Sequence, residues 1–174
     1  GNQFGTVFSF DENGENFELI HSFGKNPGKS PFDSLLKASN GKMYGVTWNG
    51  GQYQKGNLFE HDPIANTVKK IIDIDYETFG SKPTELVESN GKIYGATWEG
   101  ATSFPNEFGV IYEYDPFLDT VKVLFNFDLN STGGRPRQGL CVDSSGLLFG
   151  SALGGPGGGG VIFSFNTSTY SYNR

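Results

Sequence analysis

The stretch NGKMYGVTWNGG (40–51) returns almost intact as NGKIYGATWEGA (90–101) and, more worn, as SSGLLFGSALGG (144–155). Tyr44-Gly45, Tyr94-Gly95 and Phe149-Gly150 hold the register. A second phrase keeps the same spacing: GTVFSF (5–10), GNLFEH (56–61), GVIYEY (109–114) and GVIFSF (160–165). A period near fifty residues marks a repeated supersecondary unit, and in β-rich sequence it indicates propeller blades.

One repeat divides into four short strands. GNLFEH (56–61) is followed by the turn Asp62-Pro63-Ile64-Ala65-Asn66 and by TVKKIIDID (67–75). PTELVES (83–89) then leads through Asn90-Gly91 into KIYGATW (92–98). Asn-Gly between alternating runs predicts a type I′ hairpin, which needs positive φ at both residues. Asn40-Gly41 repeats that signal, and Ser145-Gly146 weakens it. Asp62-Pro63 and Asp115-Pro116 predict the other hairpin turn, because Pro presets φ at its second position.

In the Gly-led strand, Val7, Leu58, Ile111 and Ile162 share one face. Phe8, Phe59, Tyr112 and Phe163 share the other. Two apolar faces predict a strand covered on both sides, as between neighbouring blades. Gly45, Gly95 and Gly150 stand mid-strand, which predicts a close backbone approach. No sustained 3.6-residue stripe occurs, so essentially no helix is predicted. Gly154 to Gly160, broken by Pro156, reads as a loop; a phosphate-binding loop needs a following helix, and none is indicated.

Strands are predicted near 5–10, 17–23, 33–38, 42–48, 56–61, 67–74, 83–88, 92–98, 109–114, 120–127, 138–142, 147–152, 160–165 and 168–172. In blades of four these make about three and a half. The chain reads as one domain, 1–174, with repeats near 5–55, 56–108, 109–159 and a partial 160–174. An incomplete ring leaves unpaired apolar edges, which invite another chain. Two readings follow: the chain is a piece of a longer array, or two copies close a seven-bladed ring as a dimer; self-association is the expected one.

Net charge is −6 and the basic residues are scattered, so nucleic acid is not an expected partner. No apolar run is long enough to insert in a membrane. The chain opens directly on a strand, as after removal of a leader. The lone Cys141, in Leu140-Cys141-Val142, is expected to be a small core residue. His21 and His61 align with apolar and aromatic positions of other repeats and are read as core or rim residues. No metal set or cofactor motif is found. Asp11, Asn13 and Glu15 resemble a calcium loop only in part, and a hairpin turn explains them. Arg135 and Arg137 read as solvated surface.

Trp48 and Trp98 occupy equivalent strand ends before loops, where propellers bind ligands. Asn49 and Glu99 follow them, and Tyr53 and Phe104 lie in the same loops. Aromatic faces beside amide and carboxylate groups suit sugar rings. Equally, two recurrent Trp residues suit a cover over the core between blades. Asp73 and Asp75 are the acids to which an enzymatic reading would turn.

YGVTWNGG, GTVFSF and VLFNF together resemble the Gloeo/Verruco (GloVer) repeat, over nearly the whole chain. The turns DPIANTV (62–68) and DPFLDTV (115–121) are similar to kelch blades. The resemblance implies an all-β, propeller-like array in a secreted or surface-anchored bacterial protein and defines no biochemical role. In the third copy Phe149-Gly150-Ser151-Ala152-Leu153 replaces the Trp phrase, so a site relying on Trp would be missing there. The expected function is a non-enzymatic binding or scaffold module recognising glycans or proteins. The alternative is a polysaccharide-active propeller enzyme, a glycoside hydrolase or lyase using channel carboxylates.

Overall fold

The computed structural model describes residues 4–24, 28–100 and 108–174. Among them fifteen strands form four antiparallel sheets, and no helix forms. The first sheet has only β1 (Thr6–Ser9) and β2 (Glu18–Ser22). The second runs β3 (Lys29–Lys37), β4 (Met43–Asn49), β5 (Asn57–Asp62) and β6 (Thr67–Asp73) in order. In the third, β7 (Ser81–Pro83) and β8 (Val87–Ser89) both pair with β9 (Lys92–Glu99), followed by β10 (Val110–Asp115) and β11 (Thr120–Asn126). The fourth runs β12 (Cys141–Val142), β13 (Leu147–Ala152), β14 (Val161–Asn166) and β15 (Ser171–Asn173). The Gly-led strand is third in each complete sheet, so repeats counted from Gly5 straddle two sheets.

The strand predicted at 83–88 is in two pieces, β7 and β8. Lys82 takes a left-handed φ of 56°, and the pairing with β9 breaks between Pro83 and Val87. Asn90-Gly91 forms the predicted turn, with φ of 51° and 74°. Asn40-Gly41 does not. Only Gly41 has positive φ, and a wider turn closes through Ala38 N–H to the Lys42 carbonyl at 2.9 Å. The Asp62 and Asp115 turns are fixed by the carboxylate itself, whose Oδ1 accepts two backbone N–H groups in each.

Gly45 shows what the mid-strand glycines are for. It pairs with Phe59 on β5, and a Cβ there would lie 2.5 Å from the Phe59 ring. The ring fills the space the missing side chain leaves, and this fixes the register of β4 on β5.

Apolar side chains between successive sheets form the core. Val7 and Phe23 pack on Phe59 between the first two sheets. Tyr44, Val46 and Leu58 meet Leu86, Tyr112 and Tyr114 between the next two. Tyr94 and Ile111 meet Leu140, Leu148, Phe163 and Phe165 between the last two. The face of each sheet that carries Val7, Leu58 or Ile111 thus meets the face of its successor that carries Phe59, Tyr112 or Phe163. β5 and β10 are covered on both sides, as predicted. β1 and β14 are not: Phe8 is 49% exposed and Ile162 78%, because among the described residues no further sheet packs on them. Polar links across sheets have a spacing close to the repeat, as in Ser34 Oγ to Glu85 at 2.8 Å and Lys69 to Asp119 at 3.1 Å.

Candidate functional site

β4 and β9 bring the two Trp–polar pairs to one end of neighbouring sheets. The Trp48 and Trp98 rings are 6.3 Å apart, both half-buried. Trp48 stacks on Phe32 at 3.7 Å, and its Nε1–H donates to the Pro83 carbonyl at 3.1 Å. Lys82 Nζ and the Arg137 guanidinium each lie 4.2 Å from the Trp98 ring centre. Lys82 also pairs with Glu99 at 3.0 Å. Each cation–ring contact contributes about 0.5–2 kcal/mol. Trp98 Nε1 is buried and has no partner among the described residues.

The structure therefore gathers Trp48, Trp98 and Glu99, and leaves Asn49 exposed at the margin. Tyr53 lines a different hollow, about 640 Å³, with Lys55, Asp75 and Tyr76. Phe104 lies outside the described residues. Arg135 and Arg137 are not simply solvated. Both residues are exposed, with their guanidinium groups over Phe108 and Trp98.

The acids of the enzymatic reading serve the loops. Asp73 pairs with Lys70 at 2.5 Å and accepts the Gln52 N–H at 3.1 Å, which ties the loop after β4 to β6. Asp75 accepts the Thr78 N–H at 2.7 Å in a turn. Asp11 accepts the Asn13 and Glu15 N–H groups at 3.1 and 2.7 Å, the hairpin turn expected there. Among the described residues no group of three or more His, Cys, Asp or Glu side chains could hold a metal ion. Cys141 is exposed, contrary to expectation. Leu140 takes the inward position, 4% exposed, and strand alternation sends Cys141 outward. His61 is buried, with Nδ1 3.2 Å from the Thr67 carbonyl, and His21 packs edge-on against Phe23.

Two buried carboxylates stand out that motif reading missed. Glu60 binds Lys42 at 2.6 Å and accepts the Tyr44 hydroxyl at 3.1 Å. One repeat on, Glu113 binds Lys92 at 2.9 Å and Lys122 at 3.2 Å. Burial pushes the Tyr44 and Tyr94 hydroxyls up to about 12, so both remain proton donors at neutral pH. In the last sheet Leu147, Phe149 and Ser164 occupy the corresponding places. The signal was the joint exchange of Lys, Tyr and Glu for Leu, Phe and Ser, visible only once β4–β5, β9–β10 and β13–β14 are paired in register.

Burial opposes ionisation of Glu113, but hydrogen bonds from Lys92, Lys122 and Tyr94 outweigh it and hold its carboxyl below the usual range. A depressed carboxyl stabilises the fold above its unfolded pKa, and that contribution is lost as pH falls through the folded value. Glu113→Gln is therefore expected to be less stable than the parent at pH 7. The gap should narrow as pH falls below 4.5, the ordinary value for the group. Urea midpoints at a series of pH values check this; a gap that stays constant down to the acid limit would contradict it.

Comparison with known proteins bears on the fold. The model of the Gloeobacter/Verrucomicrobia repeat matches residues 1–174. No curated protein matches the chain in sequence. Among solved structures, the extracellular domain of the one-component system BT4673 from B. thetaiotaomicron is 12% identical, with a TM-score of 0.60, over 97% of this chain and 20% of that one. TolB from Acinetobacter baumannii is 16% identical, with a TM-score of 0.60, over 97% of this chain and 37% of that one. XC5397 from Xanthomonas campestris, a gluconolactonase, is 15% identical, with a TM-score of 0.56, over 93% and 52%. These likenesses are to propeller-like folds, and the chain spans only a fifth to a half of the structures it matches.

Proposed function

The chain belongs along its whole length to the Gloeobacter/Verrucomicrobia repeat family, and from that premise we propose that it is a non-enzymatic scaffold and binding module of an extracellular bacterial protein. Its partner surface is the pair of end sheets, through which chains associate head to tail. One observation carries this reading. The Gly-led strand that is covered on both faces in β5 and β10 is bare on one face in β1 and β14. The two bare faces differ. The first sheet offers Phe8, Phe10, Phe17 and Leu19, all about half exposed or more. The last offers Ile162, with Leu153 and Tyr170 also exposed.

Within the chain, the Leu58 face meets the Tyr112 face, and the Ile111 face meets the Phe163 face. Seating the Ile162 face of one copy on the Phe8 face of another repeats that pairing. The contact is heterologous, and two chains can satisfy both ends by closing on each other. Apolar surface of this kind is a normal mark of a protein partner surface. The extracellular placement is supported by the extracellular domain among the similar folds and by the family. The carboxylates that could have carried hydrolysis are engaged in turns and ion pairs.

The test uses two variants, Phe10→Glu and Ile162→Glu, each placing a charge on one face. Each alone should run as a monomer by size exclusion with light scattering. Mixed in equal amounts they should form a dimer, since each retains the face the other has lost. Variants that associate as the parent does, or a mixture that stays monomeric while the parent associates, would refute head-to-tail stacking. A panel of polysaccharides incubated with the parent should yield no product.

A further inference from the structure

The edge of the first sheet, as distinct from its face, carries a more specific message. In each complete sheet the Gly-led strand has an inner neighbour whose glycine lies opposite its aromatic residue. The pairs are Gly45 with Phe59, Gly95 with Tyr112 and Gly150 with Phe163. A Cβ on any of these glycines would lie 2.5 Å from the facing aromatic side chain. β1 carries the same strand, with Phe8 at the aromatic position, and among the described residues it pairs only with β2. Phe8 is 49% exposed, whereas Phe59, Tyr112 and Phe163 are at most 1% exposed.

The space beside that edge is open. A hollow of about 150 Å³ lies among Val7, Phe8, Leu35, Gly45 and Phe59. Another of about 360 Å³ is bounded by Phe8, Ser9, Leu35, Met43 and His61. Leu35 and Gly45 belong to the inner hairpin of the second sheet, so the hollows lie where an inner hairpin of the first sheet would stand.

The residue after the aromatic sets the type of strand that fits. Glu60 and Glu113 face Tyr44 and Tyr94, each with a Lys two residues earlier on the inner strand. Ser164 faces Phe149, with Leu147 in the Lys place. A Lys and a Tyr hydroxyl need the carboxylate once buried; Leu and Phe do not. β1 has Ser9 there.

We propose that the free edge of β1 accepts an antiparallel strand of the Leu-x-Phe-Gly type from the inner hairpin of a further repeat of this family. Its glycine lies opposite Phe8 and its phenylalanine opposite Ser9. The incoming phenylalanine packs toward His61, as Tyr44 packs on Tyr114, the equivalent residue one sheet on, at 5.9 Å. An intact second copy cannot supply this strand, because β13 is paired along both edges. Main-chain pairing gives the affinity and the alternate side chains give the selectivity.

The test is a titration of labelled hairpin peptides, read by fluorescence anisotropy, against the full chain carrying Ile162→Glu. That background removes end-to-end stacking, so failure here and failure of the stacking reading remain distinguishable. The peptide of residues 138–153, with Cys141→Ser, should bind saturably. The peptide of residues 34–49 should bind about tenfold or more weaker, a difference of about 1.4 kcal/mol. Gly150→Val in the first peptide should abolish binding, and Ser9→Glu in the protein should reverse the preference. Absence of saturable binding by the first peptide would overturn the proposal. So would binding that survives Gly150→Val, or a preference indifferent to Ser9→Glu.

Discussion

Gly109→Ala is expected to destabilise the protein by about 4 kcal/mol or more, in the exceptional tail of single substitutions. Gly109 has a φ of 88°, and a Cβ there would stand 2.0 Å from the Thr97 carbonyl oxygen. That oxygen is backbone of β9, so no side chain can swing aside. Relief requires β9 and β10 to separate at the point where Val110 N–H donates to Thr97 Oγ1 at 3.2 Å. Gly56 repeats the arrangement against the Thr47 carbonyl at 1.9 Å. Gly91→Ala is the control. Its φ is 74°, and nothing lies within 4 Å of the added methyl. It should cost only the left-handed conformation, about 1–2 kcal/mol. Urea denaturation followed by circular dichroism gives both values; equal losses would mean that the close approach at Gly109 does not set the cost.

Tyr112→Ala is expected to cost about 3–5 kcal/mol, as for other large aromatic truncations in a core. Tyr112 is fully buried, lies over Gly95 and meets Phe79 edge-on at 6.3 Å. Truncation empties the space that Gly95 leaves for the ring. Tyr112→Phe should behave in the opposite sense. The Tyr112 hydroxyl is buried with no hydrogen-bond partner among the described residues. Removing it leaves the ring in place and relieves an unsatisfied group, so the Phe variant should match or exceed the parent by about 1 kcal/mol. A Phe variant losing as much as the Ala variant would show that the hydroxyl, rather than the ring, holds the site.

These predictions show which features local sequence carries. The Tyr-Gly and Gly-led phrases fix strands, register and stacking, because one glycine facing one ring satisfies a backbone constraint and a packing constraint together. Turns were legible where a single residue decides them, as at Asp62 and Asp115. They were less so where the neighbourhood decides, as at Asn40-Gly41, which opens wider than Asn90-Gly91. The apolar run around Cys141 could not say which of its residues points inward, and alternation from Leu140 turned the thiol out. At the candidate site, the equivalent strand-end places of Trp48 and Trp98 were legible from the repeat. The cations over Trp98 were not, since Lys82 and Arg137 come from separate segments and meet only in three dimensions. The Glu60 and Glu113 ion pairs lay hidden for a related reason: Lys42 and Glu60, 18 residues apart, and Lys92 and Glu113, 21 apart, become neighbours only through pairing register.

If the bare faces at the two ends are partner surfaces, the chain associates in solution. The most direct test is the mass of the unaltered chain in dilute solution, by light scattering after size exclusion. Association through both ends gives a discrete species of about twice 18.9 kDa, with both end faces covered by the second chain. A mass of 18.9 kDa at every concentration examined would contradict it.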